Sequence, residues 1–383
     1  MNTKKETVAV ARRPLSKLIS NHRGENALAA ETASQPDLLT AHRVGRRSFM
    51  KSLAFGGVTL LPASVALADR DGRRDRNNSL SESDANILRF LAAAEILETD
   101  FWQQYTEFAD QDSPYTDALE VIDEDMPAYI DQNTNDEFSH QNFLNAFLMK
   151  MHKQPVNLEP FRTLPSSPVA PVQAPRLTNL MHLNVDTSWY LRYRSSGNPD
   201  FGDTFGQVVN IADRPAIPTK DQSTYTANQM QAIANTAAFH FAMIEQGGSS
   251  LYDALSQKCS DLVTLRIVTS IEGSEVAHFE IWHDKAGDAP PVDSGDGLVF
   301  PDLNQNPDTA TNLVMPRPCK FISDDLPLCS IIRPTSIPLA GATAAVQFLT
   351  NTGLFVGQSD AFFRTLLNLA TKADAAVRQC NGD

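Results

Sequence analysis

Two short stretches of this sequence carry residues that can bind metal. Glu137-Phe138-Ser139-His140 and Glu275-Val276-Ala277-His278 each set a carboxylate and an imidazole three residues apart. On a helix that spacing brings both side chains to nearly one side, one turn apart. One such pair can hold one ion. Two pairs on facing helices, joined by a bridging carboxylate from each of two further helices, make a dinuclear centre. The further carboxylates on offer are Glu95 or Glu98 in an earlier segment and Glu245 in a later one, where His240 is the other strong ligand type. In this reading Glu95 or Glu98 bridges together with Glu245, and each Glu-x-x-His holds one ion. Four carboxylates and two neutral imidazoles would balance two divalent cations, and that donor mixture suits iron or manganese. Left unpaired in a core, such groups would cost several kcal/mol each.

The elements that must position these residues can be read from proline placement and apolar spacing. Of 23 prolines, 18 fall within 155–218 and 287–338, which excludes long helices there. The first helical segment opens at Ser81 or Ser83, with Glu82 and Asp84 in its first turn. Its stripe runs Leu88, Leu91, Glu95, Glu98, Trp102, Tyr105. A short helical piece at 114–124 precedes the second, from about Pro127 to Met151, with an inward line of Ile130, Glu137, His140 or Gln141, Leu144 and Leu148. The third runs from about Thr224 to Leu255, with a break expected at Gly247-Gly248. The fourth runs from about Ser260 to His283 through Val268, Ile271, Glu275, His278 and Trp282, and a last helix spans about Ser359–Gln379. Two antiparallel hairpins joined by one long crossover describe an all-α, ferritin-like four-helix bundle. The domain division expected is 69–286 for the bundle and 287–383 for a Pro-rich extension whose C-terminal helix packs on it. Trp189, Tyr190, Tyr193, Phe201 and Phe205 predict that the crossover packs on the bundle too. His152 and His283 are expected as helix C-terminal dipole partners. His182 and His240 are expected as satisfied surface or core histidines, Glu98, Glu272 and Glu280 as solvated or supporting groups, and Tyr105, Trp102 and Trp282 as packing.

The N-terminal 68 residues read differently. They hold 10 basic and 4 acidic side chains, leaving 22 and 42 in the remainder. Gly45-Arg46-Arg47-Ser48-Phe49-Met50-Lys51, a short apolar run and Ala66-Leu67-Ala68 form an export signal that resembles the bacterial twin-arginine signal. The expectation is a disordered extension, cleavage after Ala68 and delivery to the periplasm or outside the cell. The apolar run is too short and too rich in Gly and Ala to span a bilayer, so no membrane anchor is expected after cleavage. The net charge of −20 beyond residue 68 excludes general nucleic-acid binding and disfavours an anionic membrane surface. Four cysteines remain, none in a C-x-x-C. In an oxidising compartment they suggest disulfides, with Cys319–Cys329 and Cys259–Cys380 the first pairing to consider and free buried thiols the alternative.

The sequence resembles the ferritin-like proteins that include bacterial and plant desiccation-related proteins and fungal stress-response relatives. The likeness lies in Leu88 to Trp102, Asp136 to His140, Glu245 to Gly248 and Glu275 to His278, and spans about 85–285. It implies that Glu95, at the family's first acidic position, is the better first-helix ligand. The site expected is therefore Glu95, Glu137, His140, Glu245, Glu275 and His278 around two iron or manganese ions. Its chemistry would be that of an oxidase, a ferroxidase or a peroxide scavenger in stress protection. Ferritin-like bundles often pair side by side, so a homodimer is the protein partner the likeness implies. The alternative is a non-catalytic envelope scaffold or protein-binding module with a structural or lost metal site.

Overall fold

A computed structural model describes residues 80–192, 205–306, 309, 318–331 and 341–379. The twin-arginine segment, Ala68, Tyr193, Phe201 and Cys380 lie outside the described residues. Helix α1 (Glu82–Ala109) starts where Ser81 accepts a hydrogen bond from the Asp84 N–H, with Glu82 and Asp84 in the first turn. Helix α2 (Pro114–Ile122) is short and begins on Ser113 and Pro114. Helix α3 (Met126–Lys150) buries only one line, including Ile130, Asn133, Glu137, Leu144 and Leu148. The chain then crosses over through strand β1 (Leu183–Val185), the single turn α4 (Trp189–Arg192) and strand β2 (Ile211–Arg214), which pairs antiparallel with β1. Helix α5 (Ala227–Ser256) opens on a capping box between Thr226 and Gln229, and α6 (Leu262–Gly287) on Asp261. A two-residue hairpin, β3 (Val292–Asp293) with β4 (Val299–Phe300), follows, then α7 (Ala342–Asn351) and α8 (Asp360–Asp374). Helices α1 and α3 form one hairpin, α5 and α6 the other, and the crossover joins them: this is the ferritin-like bundle.

Two acids on α1 clamp the rest of the chain. The Asp84 carboxylate, fully buried, accepts from the Ser260 and Asp261 N–H groups at 2.9 and 3.2 Å, fixing the α5–α6 turn. Asp100, also fully buried, accepts from the Leu177 N–H, the Thr178 N–H and the Thr178 hydroxyl at 3.0, 2.8 and 2.6 Å, and pairs with Arg162. These bonds bind the crossover to α1. Trp189 packs edge-on to Phe279 and Tyr190 stacks on His283, both on α6, so the expected packing of the crossover aromatics on the bundle is found for these two. The C-terminal part closes the same side: Gln358 donates to the Phe161 and Leu177 carbonyls at 2.9 Å, and the Asn179 N–H to the Leu354 carbonyl at 2.8 Å. Because α1 and α5 are covered on nearly every side, they are buried almost all round.

Several expectations need correction. Helix α5 runs unbroken through Gly247-Gly248. Helix α6 continues one turn past His283, which is fully buried and stacks on Tyr190 with ring centres 4.7 Å apart, so it does not cap the helix end. His152 caps α3 in another way: it takes the left-handed conformation (φ 54°) just past the helix. Its own N–H donates to the Met149 carbonyl, and the next N–H, of Lys153, to Leu148. The final helix ends at Asp374, and α7 was not foreseen. Cys319 and Cys329 face each other in an isolated antiparallel bridge with N–H···O bonds of 2.9 Å in both directions, but their thiols are free; the backbone pair closes that loop. Cys259 is a buried free thiol. Among the described residues no helix is long and apolar enough to cross a membrane.

Candidate metal centre

Helices α1, α3, α5 and α6 each deliver carboxylates to the middle of the bundle. Glu95, Glu137, Glu245 and Glu275 are all fully buried, and His140 and His278 enter from α3 and α6 with side chains 11% and 8% exposed. The ligand atoms fall into two groups, each within 4.8 Å: Glu95, Glu137, His140 and Glu275 in one, and Glu137, Glu245, Glu275 and His278 in the other. All six expected residues are thus brought together. Their grouping is not the one expected. Glu137 and Glu275 are common to both groups, while Glu95 and Glu245 each belong to one, so the shared carboxylates come from the Glu-x-x-His pairs. Helix rotation decides this, and spacing along one helix does not record it.

Each imidazole turns Nδ1 inward. His140 Nδ1 lies 3.1 Å from Glu137, 3.4 Å from Glu95 and 3.5 Å from Glu275; His278 Nδ1 lies 3.1 Å from Glu137 and 3.4 Å from Glu245. The outward nitrogens are held, His140 Nε2 by the Ser274 hydroxyl and His278 Nε2 by Asp136, both at 3.1 Å. That pattern fixes ring orientation and raises ligand basicity in metal sites. Asn133 donates to Glu137 at 2.7 Å and Glu245 at 3.1 Å, and Trp282 Nε1–H donates to the Asn133 oxygen at 2.8 Å. The Tyr252 hydroxyl donates to Glu95. Gly248 explains the unbroken α5: a Cβ there would stand 2.5 Å from Glu275 Oε2. The glycine makes room for a carboxylate and does not stop a helix.

Burial and mutual repulsion shift the proton affinities of these groups. Burial first, then the neighbouring carboxylates Glu137, Glu95 and Glu245, hold Glu275 and Glu98 well above the usual carboxylate range. Burial lifts Glu137 to about 7 against the pull of His140 and His278. For His140 burial works against the charge, yet Glu137 and Glu95 raise it to about 10; His278 is raised likewise by Glu245 and Asp136. Even so, Glu95 Oε2, Glu245 Oε2 and both Glu275 oxygens are buried without a hydrogen-bond partner. Buried carboxylate oxygens without a hydrogen bond are rare, and metal cations would satisfy them. The donor set therefore fits metal ions, held in those two groups.

A family profile for the ferritin-like domain matches residues 83–287, more than half of the chain. The chain belongs to the ferritin-like domain family. No curated protein and no solved structure matches it. The matched segment contains the four long helices of this ferritin-like bundle and both ligand groups. Sequence reasoning missed Asn133, Tyr252 and Gly248, and took Trp282 for packing alone. Asn133 lies four residues before Glu137, and Tyr252 seven after Glu245; both steps return to the inward face, so a polar residue at either was a usable signal. The other histidines stand apart: His182 pairs with Asp213 at 2.9 Å on the surface, and His240 is buried against the Tyr105 hydroxyl at 2.9 Å.

Proposed function

We propose that this ferritin-like protein is exported and holds a carboxylate-bridged pair of iron or manganese ions for redox chemistry in stress protection. Glu95 and His140 would hold one ion, Glu245 and His278 the other, and Glu137 and Glu275 would span both. The observation that carries this reading is the convergence of buried carboxylate oxygens without a hydrogen bond, from α1, α5 and α6, on two groups that share two residues. When bound, a reduced pair supplies two electrons, enough with two protons to take dioxygen to hydrogen peroxide, or hydrogen peroxide to two waters. The chain's own groups orient and exclude: Asp136 and Ser274 hold the imidazoles, Asn133 and Tyr252 hold carboxylates, and the aromatic stack of Trp102, Phe241 and Trp282 keeps one flank dry. Export rests on the twin-arginine segment and processing after Ala68, and its check is N-terminal sequencing of the periplasmic fraction.

The test of the centre is elemental mass spectrometry of protein purified without chelators. About two iron or manganese ions per chain are expected, lost in Glu137→Ala/Glu275→Ala, with dioxygen or peroxide consumption lost alongside. Trace metal after anaerobic loading with Fe(II) and Mn(II) would overturn the reading and leave a ferritin-like scaffold.

A further inference from the structure

A cavity of about 40 Å³ adjoins the carboxylate cluster between α1 and α5. Its walls are Leu97 and Phe101 from α1, Met243 and Leu251 from α5, and Phe348 and Leu349 from α7. Only Glu98 and Tyr252 contribute polar side chains to it. Three features tie it to the cluster. Tyr252 donates to Glu95, Gly248 lines the cavity while abutting Glu275 Oε2, and Glu98 senses the charges of Glu137, Glu95 and Glu245. The imidazoles enter from the other two helices, α3 and α6, where Asp136 on the outward nitrogen of His278 is 55% exposed.

Size and polarity select the occupant. A water needs roughly 10–15 Å³ of such volume, and a cavity lined by apolar side chains stays dry and takes apolar guests. This one has room for a molecule of two or three heavy atoms. A hydrated cation would lose its water shell against Leu97, Phe101 and Leu251 with only Glu98 and Tyr252 to replace it, too few donors for an ion's shell. Hydrogen peroxide would leave most of its hydrogen bonds unmade. Dioxygen, small and uncharged, loses nothing. We propose that this cavity is the binding chamber for a small apolar molecule of dioxygen's class, delivered to the cluster from the α1/α5 side while metal ions reach it from the α3/α6 side. The inference rests on the redox reading above and selects dioxygen over peroxide as the partner of the centre. Helix α7 lies beyond the family's matched segment, so this wall belongs to the chain's own C-terminal extension.

Xenon, an apolar probe, tests the chamber without any metal. Xenon-129 NMR of the full metal-free chain, with crystals under xenon pressure to locate the atom, should show one bound xenon among Leu97, Phe101, Leu251 and Phe348. Ala94→Leu on α1 and Leu349→Trp on α7 fill the space from opposite walls and should each abolish that signal while leaving metal stoichiometry unchanged. In the Fe(II)-loaded chain the same variants should slow reaction with dioxygen at least about tenfold, the order of effect a misfitting methylene has in an apolar pocket. No xenon in the wild-type cavity, or xenon retained in both variants, overturns the chamber. Wild-type dioxygen kinetics in variants that have lost xenon overturn its role in delivery. Failure of the metal reading would show instead as absent metal with the xenon signal intact.

Discussion

Replacing Gly248 by alanine should disarm the centre while sparing the bundle. The new methyl would stand 2.5 Å from Glu275 Oε2, whereas carbon and its neighbours prefer about 3.5 Å or more. The carboxylate must therefore retreat by about 1 Å, and because it belongs to both ligand groups, both ions feel the shift. Disturbing a group that orients a metal ligand typically costs about 10–100-fold in affinity, or about 1.4–2.7 kcal/mol per ion. Stability should move less. Alanine in a helix interior gains about 1 kcal/mol over glycine, and the local overpacking costs about 1–3 kcal/mol. The net loss is then about 0–2 kcal/mol for the metal-free chain. Gly273→Ala is the control: it sits within α6, two residues from Glu275, with nothing within 4 Å of a Cβ. It should stabilise by up to about 1 kcal/mol and bind metal normally. Calorimetric titration of both variants with Mn(II), beside urea unfolding, separates the two effects. Wild-type affinity for both ions in Gly248→Ala would refute the assignment of Glu275 to a shared position.

Two further outcomes follow from side chains away from the centre. Burial lowers His240 to about 3, while the unfolded chain protonates this residue near 6.5. Between those values the unfolded state binds the extra proton, so this contribution is whole above pH 6.5 and is lost as pH falls towards 3. With a limiting slope of about 1.4 kcal/mol per pH unit, reached only below the unfolded value, the stability difference between wild type and His240→Gln should shift by about 2.3 kcal/mol from pH 6.5 to 4.5; parallel urea curves across that range would contradict it. His152→Gly should stabilise the fold by about 1 kcal/mol, because a side chain in the left-handed conformation is strained by about 1–2 kcal/mol, and an unchanged melting temperature would show that the imidazole compensates.

The legible parts of the fold were those with one wet face. Helix α3 buries a single line through Ile130, Asn133, Glu137, Leu144 and Leu148 and leaves its other faces exposed or half-buried, so most of its inward line could be written from spacing alone. Helices α1 and α5 are buried nearly all round, which blurs any stripe; the cap at Ser81 marked the start of α1, whereas α5, expected from about Thr224, starts at Ala227 behind the cap Thr226. All six ligand candidates come together because a polar side chain on an apolar stripe is itself a signal. What the sequence could not carry is rotation and approach between helices. The sharing of Glu137 and Glu275, the space beside Gly248, and the burial of His283 against Tyr190 are tertiary facts, set by residues far away in the chain. The Cys319–Cys329 loop shows the same limit: short separation brought the residues face to face, but separation alone cannot distinguish a backbone pair from a covalent one.

The crossover and the C-terminal helices act on the same side of the bundle, and that bears on chemistry. Asp100 and Glu107 on α1 hold Arg162, Thr178 and Arg176 of the crossover, and the Asp374 carboxylate accepts from the Ala342 and Thr343 N–H groups, tying the end of α8 to the start of α7. These are side-chain anchors over backbone donors, a means of holding irregular chain against a helix without leaving polar groups unpaired. The consequence is asymmetric. On α3 and α6 the cluster is backed by Asp136 and Ser274 near the surface; on α1 and α5 it is backed by an apolar layer whose outer wall is α7. An ion can exchange ligands at a polar margin, and a neutral guest can cross an apolar one. On the proposed reading such a bundle would keep ion and neutral guest on separate paths, and the wall that makes the difference, α7, comes from residues outside the part of the chain that matches the ferritin-like domain.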